Sequence, residues 1–360
     1  MSVALSSQAP VSRALVTTAH GGPEVVQVKR RPRPAPAPGE VRIRLVAAAL
    51  NHLDLWVRRG IPAGHWPVPI VPCADGAGVV DALGEGVQGL EVGDEVVLYP
   101  VRSCGACRAC RAGDPPHCKQ FGMLGEHVDG CAQDHLVVPA GSVLPKPDGL
   151  EWAAAAALPT TFLTAWRMLA TTARLQPGET VVVHGARSGV GSAGIQVARQ
   201  LGAFVIATAR RDADLEQARV LGADAVLRSD DPEWSRQARA LCPGGVDVVF
   251  EHIGGELFSS SIRALRRGGR LVTCGATAGH RVELDLRKIF FHSIAVLGST
   301  MGSLSELETL LTLAGRGLLV PEVGARFPLE RGAEAMQALE SREHFGKIVL
   351  EIDDARVHAG

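Results

Sequence analysis

The chain has 360 residues, of which 46% are hydrophobic and 21% charged, and its formal net charge is −1. This length is enough for two domains with large hydrophobic cores. The near-neutral charge gives no electrostatic basis for binding nucleic acid or an anionic membrane, and no apolar run reaches the roughly 20 residues of a membrane-spanning helix. We read no signal peptide at the N-terminus, so we expect a cytoplasmic protein in which clustered cysteines bind metal rather than form disulfides.

The first part of the chain has the pattern of a β-rich domain. We expect residues 1–12 to form a flexible tail. Residues 40–50, EVRIRLVAAAL, begin with the alternation of apolar and polar side chains that is typical of a half-buried strand. Short apolar runs bounded by Gly and Asp, ADGAGVVDALG and GDEVVLYP, predict further strands. The segment 13–155 is therefore predicted to be one β-rich domain.

The next segment, residues 156–300, has the pattern of a different domain. Continuous apolar runs such as ETVVVHGA, FVIATA, GVDVVFE and RLVTCGA predict buried strands. Amphipathic stretches such as GVGSAGIQVARQLG, ADLEQARVLG and ELFSSSIRALRRG predict helices between them. Strands and helices in alternation indicate an α/β domain with a doubly wound parallel sheet.

A glycine-rich turn joins the first of these strands to its helix, in the sequence HGARSGVG. Gly185, Gly189 and Gly191 permit a tight turn and a close approach of the backbone to a pyrophosphate. The helix N-terminus adds free N–H groups and a positive dipole. We predict that this segment, with Ser188 and Val190, binds a dinucleotide; the alternative is a glycine-rich turn that binds nothing.

The end of the second strand indicates which nicotinamide cofactor is used. An NAD enzyme places an acidic residue there to accept a hydrogen bond from the ribose 2′-hydroxyl. Here Ala209 takes that place, and Arg210 and Arg211 follow it. Guanidinium groups suit a 2′-phosphate, so we favour NADP(H). The alternative is that both arginines are ordinary surface charges.

These motifs resemble the medium-chain dehydrogenase/reductase superfamily, and the resemblance extends from about residue 13 to residue 351. It also includes GGPEVVQV, AALNHLDLWVRRG, TFLTAW, LGADAV and FGKIVL, and it is strongest to the zinc-binding alcohol dehydrogenase and quinone oxidoreductase-like branch. The resemblance implies a GroES-like catalytic domain, a Rossmann-type cofactor domain and an active site in the cleft between them. It also implies that residues 301–360 return to the first domain and that the protein is a homodimer.

The family's structural zinc site uses four cysteines spaced C-x2-C-x2-C-x7-C. Residues 103–118, SCGACRACRAGDPPHC, match this spacing in full and form what we call the zinc lobe. Four thiolates make a closed tetrahedral site with no position left for substrate. We therefore expect one structural zinc per chain, bound by Cys104, Cys107, Cys110 and Cys118.

The family's catalytic zinc ligands are missing from this sequence. The resemblance places Asn51, Ala74 and Thr160 at the three ligand positions, with Asp75 where the family often has Glu. A shifted set of Cys73, His52 and Asp75 remains an alternative, although Cys73 is one residue out of register. We expect no catalytic zinc.

The resemblance to zinc-free quinone and enoyl reductases implies catalytic roles near residue 51. Asn51 is expected to orient substrate or cofactor, and Asp54 to support it. His52 is a candidate proton donor near neutral pH, and its alternative is a structural or exposed histidine. Trp56 and Trp66 either line an apolar pocket or belong to the core.

The resemblance also implies further cofactor contacts. Thr164, Ser299 and Thr300 are expected near the nicotinamide, Gly275 at the carboxyl edge of the sheet, and Lys347 at a cofactor phosphate. Each of these residues has a core or backbone role as its alternative. His127 and Asp129 follow the zinc lobe and are expected to face the cleft.

The sequence leaves three functions open. The first is an NADPH-dependent reductase of an activated C=C bond or a quinone, acting on a small-molecule substrate. The second is an NADP-dependent alcohol or aldehyde dehydrogenase of the zinc type. The third is a nucleotide-binding protein without catalytic activity, because fold does not determine function.

Overall fold

The computed structural model describes residues 11–60 and 66–353. The strands in these ranges are β1 Val11–Thr17, β2 Val26–Pro32, β3 Glu40–Leu50, β4 Asp75–Leu83, β5 Glu95–Leu98, β6 Val101–Arg102, β7 Gly122–Met123, β8 His135–Pro139, β9 Val143–Pro145, β10 Thr180–Val183, β11 Phe204–Ala209, β12 Ala225–Arg228, β13 Val246–Glu251, β14 Leu265–Thr273, β15 Ala295–Gly298, β16 Val323–Pro328 and β17 Lys347–Glu351. The α-helices are α1 His52–Arg59, α2 Arg108–Arg111, α3 Trp152–Ala157, α4 Pro159–Trp166, α5 Gly189–Gln200, α6 Asp212–Val220, α7 Trp234–Leu241, α8 Glu256–Ala264, α9 Leu286–His292, α10 Leu304–Gly315 and α11 Gly332–Ser341. None of the helices in these ranges combines the length and the hydropathy that crossing a bilayer would require.

The first domain is built on a mixed sheet in the order β16-β17-β3-β4-β5-β9, and β8 pairs with β3 outside that order. β3 is its central strand: Arg42 and Arg44 alternate with buried residues, and then the strand is buried continuously from Leu45 to Leu50. The alternation ends where α3 packs on β3 and β4 and covers the second face. The zinc lobe connects β6 to β7, which pair with each other in a separate two-stranded sheet.

The second domain is a six-stranded parallel sheet in the order β12-β11-β10-β13-β14-β15. The chain runs outward from β10 to β12 and then crosses back to β13, so the order reverses between β10 and β13. Ligands of doubly wound sheets bind at this reversal, outside the carboxyl ends of the strands. The sheet confirms the predicted fold class, an α/β chain with a Rossmann-type domain beside a β-rich domain.

The C-terminal segment returns to the first domain. β17 pairs antiparallel with β3, with Ile348 opposite Leu50 and Leu350 opposite Ala48. This register brings the start of β17 beside the end of β3, so Lys347 lies next to Asn51. Residue 346 simultaneously contacts the glycine-rich turn, because its N–H donates to the Arg187 carbonyl at 2.8 Å.

The structure differs from the sequence predictions at three boundaries. Val11 and Ser12, predicted to lie in the flexible tail, belong to β1, where they pair with Pro32 and Arg31; residues 1–10 are outside the described ranges. The predicted helix ELFSSSIRALRRG ends at Ala264, because residues 265–273 pair with β13 and form β14 instead. The proposed boundary at residue 155 falls inside α3, and the domain bounds otherwise stay predictions.

Candidate active site

The glycine-rich turn has the geometry of a phosphate-binding loop. Gly185 adopts a left-handed backbone (φ 63°), and Ser188 caps α5 by accepting a hydrogen bond from the Gly191 N–H at 2.9 Å. A Cβ on Gly191 would lie 2.1 Å from the Gly185 carbonyl oxygen, and one on Gly189 would lie 2.8 Å from Thr161 Cγ2. Only glycine fits at these positions, and the first N–H groups of α5, including that of Val190, have no partners within the helix. These residues therefore fit a cofactor pyrophosphate.

The two arginines after β11 differ in their surroundings. Arg211 is half-exposed and forms two hydrogen bonds with Asp214, at 2.9 and 2.8 Å. Arg210 is exposed. β11 itself ends at Ala209, so its last residue carries no carboxylate to accept from a ribose hydroxyl. The arrangement fits a 2′-phosphate beside Arg210 and Arg211.

Asn51 is held at the junction of β3 and α1. It is the residue before the first turn of α1, and its N–H donates to Asp54 Oδ2 at 2.7 Å. Asp54 Oδ1 accepts from the Cys73 N–H at 2.7 Å. Burial raises the pKa of Asp54 to about 6, against the two backbone N–H groups that lower it. The buried Asp54 carboxylate therefore links two chain segments by hydrogen bonds, and these bonds fix the orientation of Asn51.

The side chain of Asn51 belongs to a buried polar network with Asp75, Thr160 and Lys347. Lys347 Nζ lies 2.6 Å from Asn51 Oδ1 and 3.0 Å from Asp75 Oδ2. Asp75 also accepts from Asn51 Nδ2 at 2.9 Å and from Thr160 N and Oγ1 at 2.9 and 2.6 Å. Asp75 is completely buried and Lys347 is 5% exposed. We call these four residues the Lys347 network.

The Lys347 network lies where the family resemblance places a catalytic zinc, and its chemistry does not fit that metal. Ala74 is an apolar core residue that has no donor atom, and the Lys347 ammonium would repel a divalent cation. The shifted ligand set is not assembled either. Within residues 11–60 and 66–353, the sole group of three or more His, Cys, Asp or Glu side chains close enough for one metal is the zinc lobe. Cys73 itself is fully buried, and burial raises the pKa of its thiol well above its usual range.

The contact of Lys347 with a cofactor phosphate stays a prediction, and the structure shows where its side chain lies. Its methylene groups pack beside the glycine-rich turn, since a Cβ on Gly189 would be 2.9 Å from Lys347 Cδ. Its ammonium group continues past that turn into the network with Asn51 and Asp75. The strand register of β17 on β3 imposes this position.

His52 does not have the properties predicted for an acid near neutral pH. It is the first residue of α1, its Nε2 lies 3.3 Å from an Arg342 Nη atom, and its ring contacts Trp56 edge-on. Burial, with the charges of Arg342 and Arg59, lowers the pKa of His52 to about 4. The low pKa favours an uncharged ring at neutral pH and gives no support to His52 as the acid, so its catalytic role stays a prediction.

The residues that follow the zinc lobe have two different roles. Asp129 does not face the cleft: Oδ1 accepts from the Val71 N–H at 2.9 Å, and Oδ2 pairs with Arg31 at 2.7 Å. The His127 ring lies 6.4 Å from the ring of Trp66. Beside it, burial and the charge of Asp54 raise the pKa of Glu126 to about 7. Sequence reasoning missed Glu126, because a carboxylate in a loop carries no signal of its burial.

The remaining predicted cofactor residues lie at the carboxyl edge of the second sheet or next to it. Thr164 is buried in α4, with Oγ1 3.8 Å from Met301 Sδ. Gly275 follows β14, and a Cβ there would lie 3.0 Å from the His252 carbonyl oxygen. Ser299 donates its N–H to the Thr273 carbonyl at 2.9 Å, and Thr300 after it is exposed. Their cofactor contacts stay predictions.

The zinc lobe has the geometry of a tetrahedral thiolate site. The four Sγ atoms of Cys104, Cys107, Cys110 and Cys118 lie within 4.8 Å of one another, with separations of 3.5 to 3.9 Å along three pairs. Zinc with Zn–S bonds of about 2.3 Å requires sulfurs about 3.8 Å apart, so the cluster fits one ion. The backbone N–H of Cys110 is the largest influence lowering the pKa of Cys107 to about 6, which favours the thiolate of that residue.

Comparison with known proteins agrees with this architecture. The family model described as an alcohol dehydrogenase GroES-like domain matches residues 37–148, and the one described as a zinc-binding dehydrogenase matches residues 189–316. A crystal structure of an NAD-dependent alcohol dehydrogenase is 45% identical, covers 94% of this chain and 99% of its own, and superposes with a TM-score of 0.92.

Two curated relatives give the same assignment. A zinc-type alcohol dehydrogenase-like protein of Schizosaccharomyces pombe is 32% identical over 87% of this chain and 91% of its own length. A crotonyl-CoA carboxylase/reductase of Cereibacter sphaeroides is 29% identical over 86% of this chain and 79% of its own length. The similar proteins therefore include ones named as alcohol dehydrogenase or alcohol dehydrogenase-like and one named as a crotonyl-CoA carboxylase/reductase.

Proposed function

The chain belongs to the zinc-type medium-chain dehydrogenase/reductase superfamily of oxidoreductases, and we propose that it is an NADPH-dependent reductase of an activated C=C bond or a quinone. One observation carries this proposal. The position of the catalytic zinc holds the Lys347 ammonium, hydrogen-bonded to Asn51 and Asp75. The proposed chemistry therefore uses no Lewis-acid metal at that position.

Conjugated substrates suit this site because they spread the charge that hydride transfer creates. The nicotinamide, when bound, supplies a hydride from C4. When the β-carbon accepts it, the electron pair of the C=C bond moves toward the carbonyl oxygen, which must be stabilised by donors. Lys347 has three N–H groups and gives two to Asn51 and Asp75. The third is free to donate to that oxygen.

The second hydrogen of the product is a proton, and the Lys347 network is also its proposed source. His52 is uncharged at neutral pH, so it provides no imidazolium. Lys347 is the cation of the network, and it can give a proton to the enolate and recover one from water. Asn51 adds an amide N–H beyond the one that it donates to Asp75, and that group orients the oxygen.

The choice of NADPH has separate support. The last residue of β11 is Ala209, and Arg210 and Arg211 follow at the edge where the adenosine ribose of a doubly wound fold lies. A 2′-phosphate carries about two negative charges and suits guanidinium donors. The relative at 45% identity is named as NAD-dependent, so the preference must be measured rather than carried over.

An NADP-dependent alcohol or aldehyde dehydrogenase is the second candidate. The names of the relative from Schizosaccharomyces pombe and of the 45% identical structure favour an alcohol dehydrogenase, although the second is named as NAD-dependent. It requires either a catalytic zinc or a donor that polarises an isolated carbonyl. The Lys347 network offers an ammonium group for that purpose, so substrate assays must include both classes.

The test combines metal content with a substrate panel. Purified protein is analysed for zinc by mass spectrometry, and cofactor oxidation is followed with p-benzoquinone, an α,β-unsaturated ketone and a saturated aldehyde, with NADPH and NADH in parallel. We expect one zinc per chain, turnover of the quinone or the enone, and a preference for NADPH. Two zinc ions per chain with turnover of the aldehyde alone would support the alcohol dehydrogenase instead. No turnover with any substrate would favour a non-catalytic nucleotide-binding protein.

The homodimer stays a prediction, although the second domain has a surface available for it. β15 is at the edge of the parallel sheet, with Val296 41% exposed. Phe290 and Phe291 on the adjoining α9 are 61% and 64% exposed. Apolar side chains of this size are commonly covered in an assembly.

A further inference from the structure

Arg187 lies in the glycine-rich turn, and its side chain lies between the His344 carbonyl and Asp214 of α6. The turn is tied to β11 by a hydrogen bond from the Ala186 N–H to the Thr208 carbonyl, at 3.0 Å. Arg187 therefore stands at the carboxyl edge between β10 and β11, beside the residues that follow β11. The adenosine ribose of a dinucleotide lies at this edge in doubly wound folds.

The guanidinium group of Arg187 is incompletely paired. Its Nε donates to the His344 carbonyl at 2.6 Å. One Nη atom is 3.8 Å from Asp214 Oδ2, which is too long for a hydrogen bond. The other Nη atom is buried and has no hydrogen-bond partner. A buried donor without an acceptor is unusual in a folded protein and indicates that a partner is missing.

The charges around Arg187 show what kind of partner would fit. Asp214 already accepts two hydrogen bonds from Arg211, and Arg210 lies nearby. Burial is the main cause that lowers the pKa of Arg187, and Arg211 and Arg210 lower it further, against Asp214 and Glu343. Two carboxylates, Asp214 and Glu343, therefore act on Arg187, and Asp214 already accepts two hydrogen bonds from Arg211. A phosphoryl group supplies both the acceptor oxygens and the negative charge.

We propose that Arg187 is a third guanidinium of the 2′-phosphate site and a residue that determines the preference for NADP(H) over NAD(H). This inference rests on the proposed NADPH dependence. Arg187 differs from Arg210 and Arg211 because it belongs to the turn that holds the pyrophosphate. The 2′-phosphate is therefore held from both β10 and β11.

Binding of cofactor fragments tests this proposal without turnover. The ligands are adenosine 2′,5′-bisphosphate and adenosine 5′-monophosphate, which differ by the 2′-phosphate alone, and their affinities are measured by calorimetry on the full chain. We expect Arg187→Gln to weaken binding of the bisphosphate about 10- to 100-fold, as for loss of one charge-assisted hydrogen bond, and to leave the monophosphate unchanged. Arg187→Lys is expected to restore part of the loss.

Arg219→Gln is the matched control, because it also removes one guanidinium charge. Arg219 lies on α6, is half-exposed and pairs with Glu216. It is expected to change neither affinity. An equal loss of both ligands in Arg187→Gln would show that Arg187 only supports the turn through His344, and would overturn the proposal. Retention of the bisphosphate preference would also overturn it. If the unaltered protein itself shows no such preference, the NADPH assignment fails as well, so the two failures are distinguishable.

Discussion

The zinc lobe and the Lys347 network are two polar centres that balance charge in different ways. The lobe takes four thiol ligands from 15 consecutive residues, Cys104 to Cys118. The network takes Asn51, Asp75, Thr160 and Lys347 from four distant segments and supplies its own cation. We therefore expect a metal ion to balance the thiolates of the lobe, whereas the network already contains an ammonium group beside its carboxylate.

The two centres also differ in what they hold together. The zinc lobe is a small segment of the first domain. We expect a metal ion to stabilise it, because such a small segment has no hydrophobic core of its own. The network joins β3, β4, α4 and β17 at the edge of the glycine-rich turn. Loss of zinc should therefore affect stability first, whereas loss of the network should affect stability and chemistry together.

Removal of a zinc ligand is expected to have the largest effect on stability. Cys107→Ser should reduce zinc from one per chain to none and destabilise the fold by more than about 4 kcal/mol, as losses of structural metals do. Metal analysis and thermal unfolding measure both effects. Cys242→Ser is the control, because Cys242 lies outside the lobe and has only a weak contact to Thr180 Oγ1, at 3.6 Å.

A zinc-free protein that unfolded at the same temperature as the unaltered one would contradict a stabilising role for the metal. Loss of activity on chelation, in a protein that remained fully folded, would instead indicate that the metal of the lobe has a catalytic role.

Breaking the ion pair of the Lys347 network is expected to have the next largest effect. Lys347→Met leaves the Asp75 carboxylate buried without its cation and should cost about 3–5 kcal/mol of stability. Asp75→Asn alone should also destabilise. The double variant should cost clearly less than the sum of the two, because neither charge is then left unpaired. Urea unfolding of the unaltered protein, the two single variants and the double variant gives the free energies of this double-mutant cycle. Additive losses of stability would show that Lys347 and Asp75 are not coupled.

The same variants also test the proposed chemistry. Lys347→Met should keep one zinc per chain and should lose at least about 100-fold in turnover, since a donor to a developing oxyanion contributes this much. The double variant with Asp75→Asn should lose less stability than the sum of the two single losses, but its turnover should stay as low as that of Lys347→Met. Activity restored together with stability would contradict a catalytic role for Lys347.

The sequence predicts the lobe and the glycine-rich turn well because each is local. Spacing of Cys104 to Cys118, or of Gly185 to Gly191, determines which atoms can meet, and the structure brings them together. The Lys347 network could not be predicted in the same way. Its members were singled out separately, but their meeting depends on the register of β17 on β3 and on the packing of α4.

Charge state was harder to predict than position. His52 was correctly placed beside Asn51, but its low pKa results from burial and from Arg342, 290 residues later in the chain. Arg187 was overlooked because an arginine in a glycine-rich turn looks like a solvent-exposed residue. Its unpaired buried Nη atom is visible only when the contacts to His344 and Asp214 are known.

The smallest expected effect is that of His52, which adjoins the Lys347 network without belonging to it. His52→Gln should leave kcat within about threefold of the unaltered protein between about pH 6 and 8, because the ring is uncharged there and donates no proton as imidazolium. Steady-state kinetics across this range measure the effect. A tenfold loss of kcat, or the disappearance of a titration near pH 6.5 from the pH profile of kcat, would show that His52 takes part in proton transfer.

The dependence of folding stability on pH gives a second test of the charge state of His52. The pKa of His52 is about 4 in the folded protein, below its value in the unfolded chain, so the unfolded chain takes up the proton first as the pH falls. The contribution of His52 to the free energy of unfolding is therefore complete above about pH 6.5 and decreases as the pH falls to about 4. The decrease is less than about 1 kcal/mol per pH unit, because the ring is partly exposed to solvent. His52→Gln should flatten this decline. Arg342→Gln should flatten it less, since it removes only the charge that adds to burial. An identical decline in all three proteins would show that His52 does not titrate in this way.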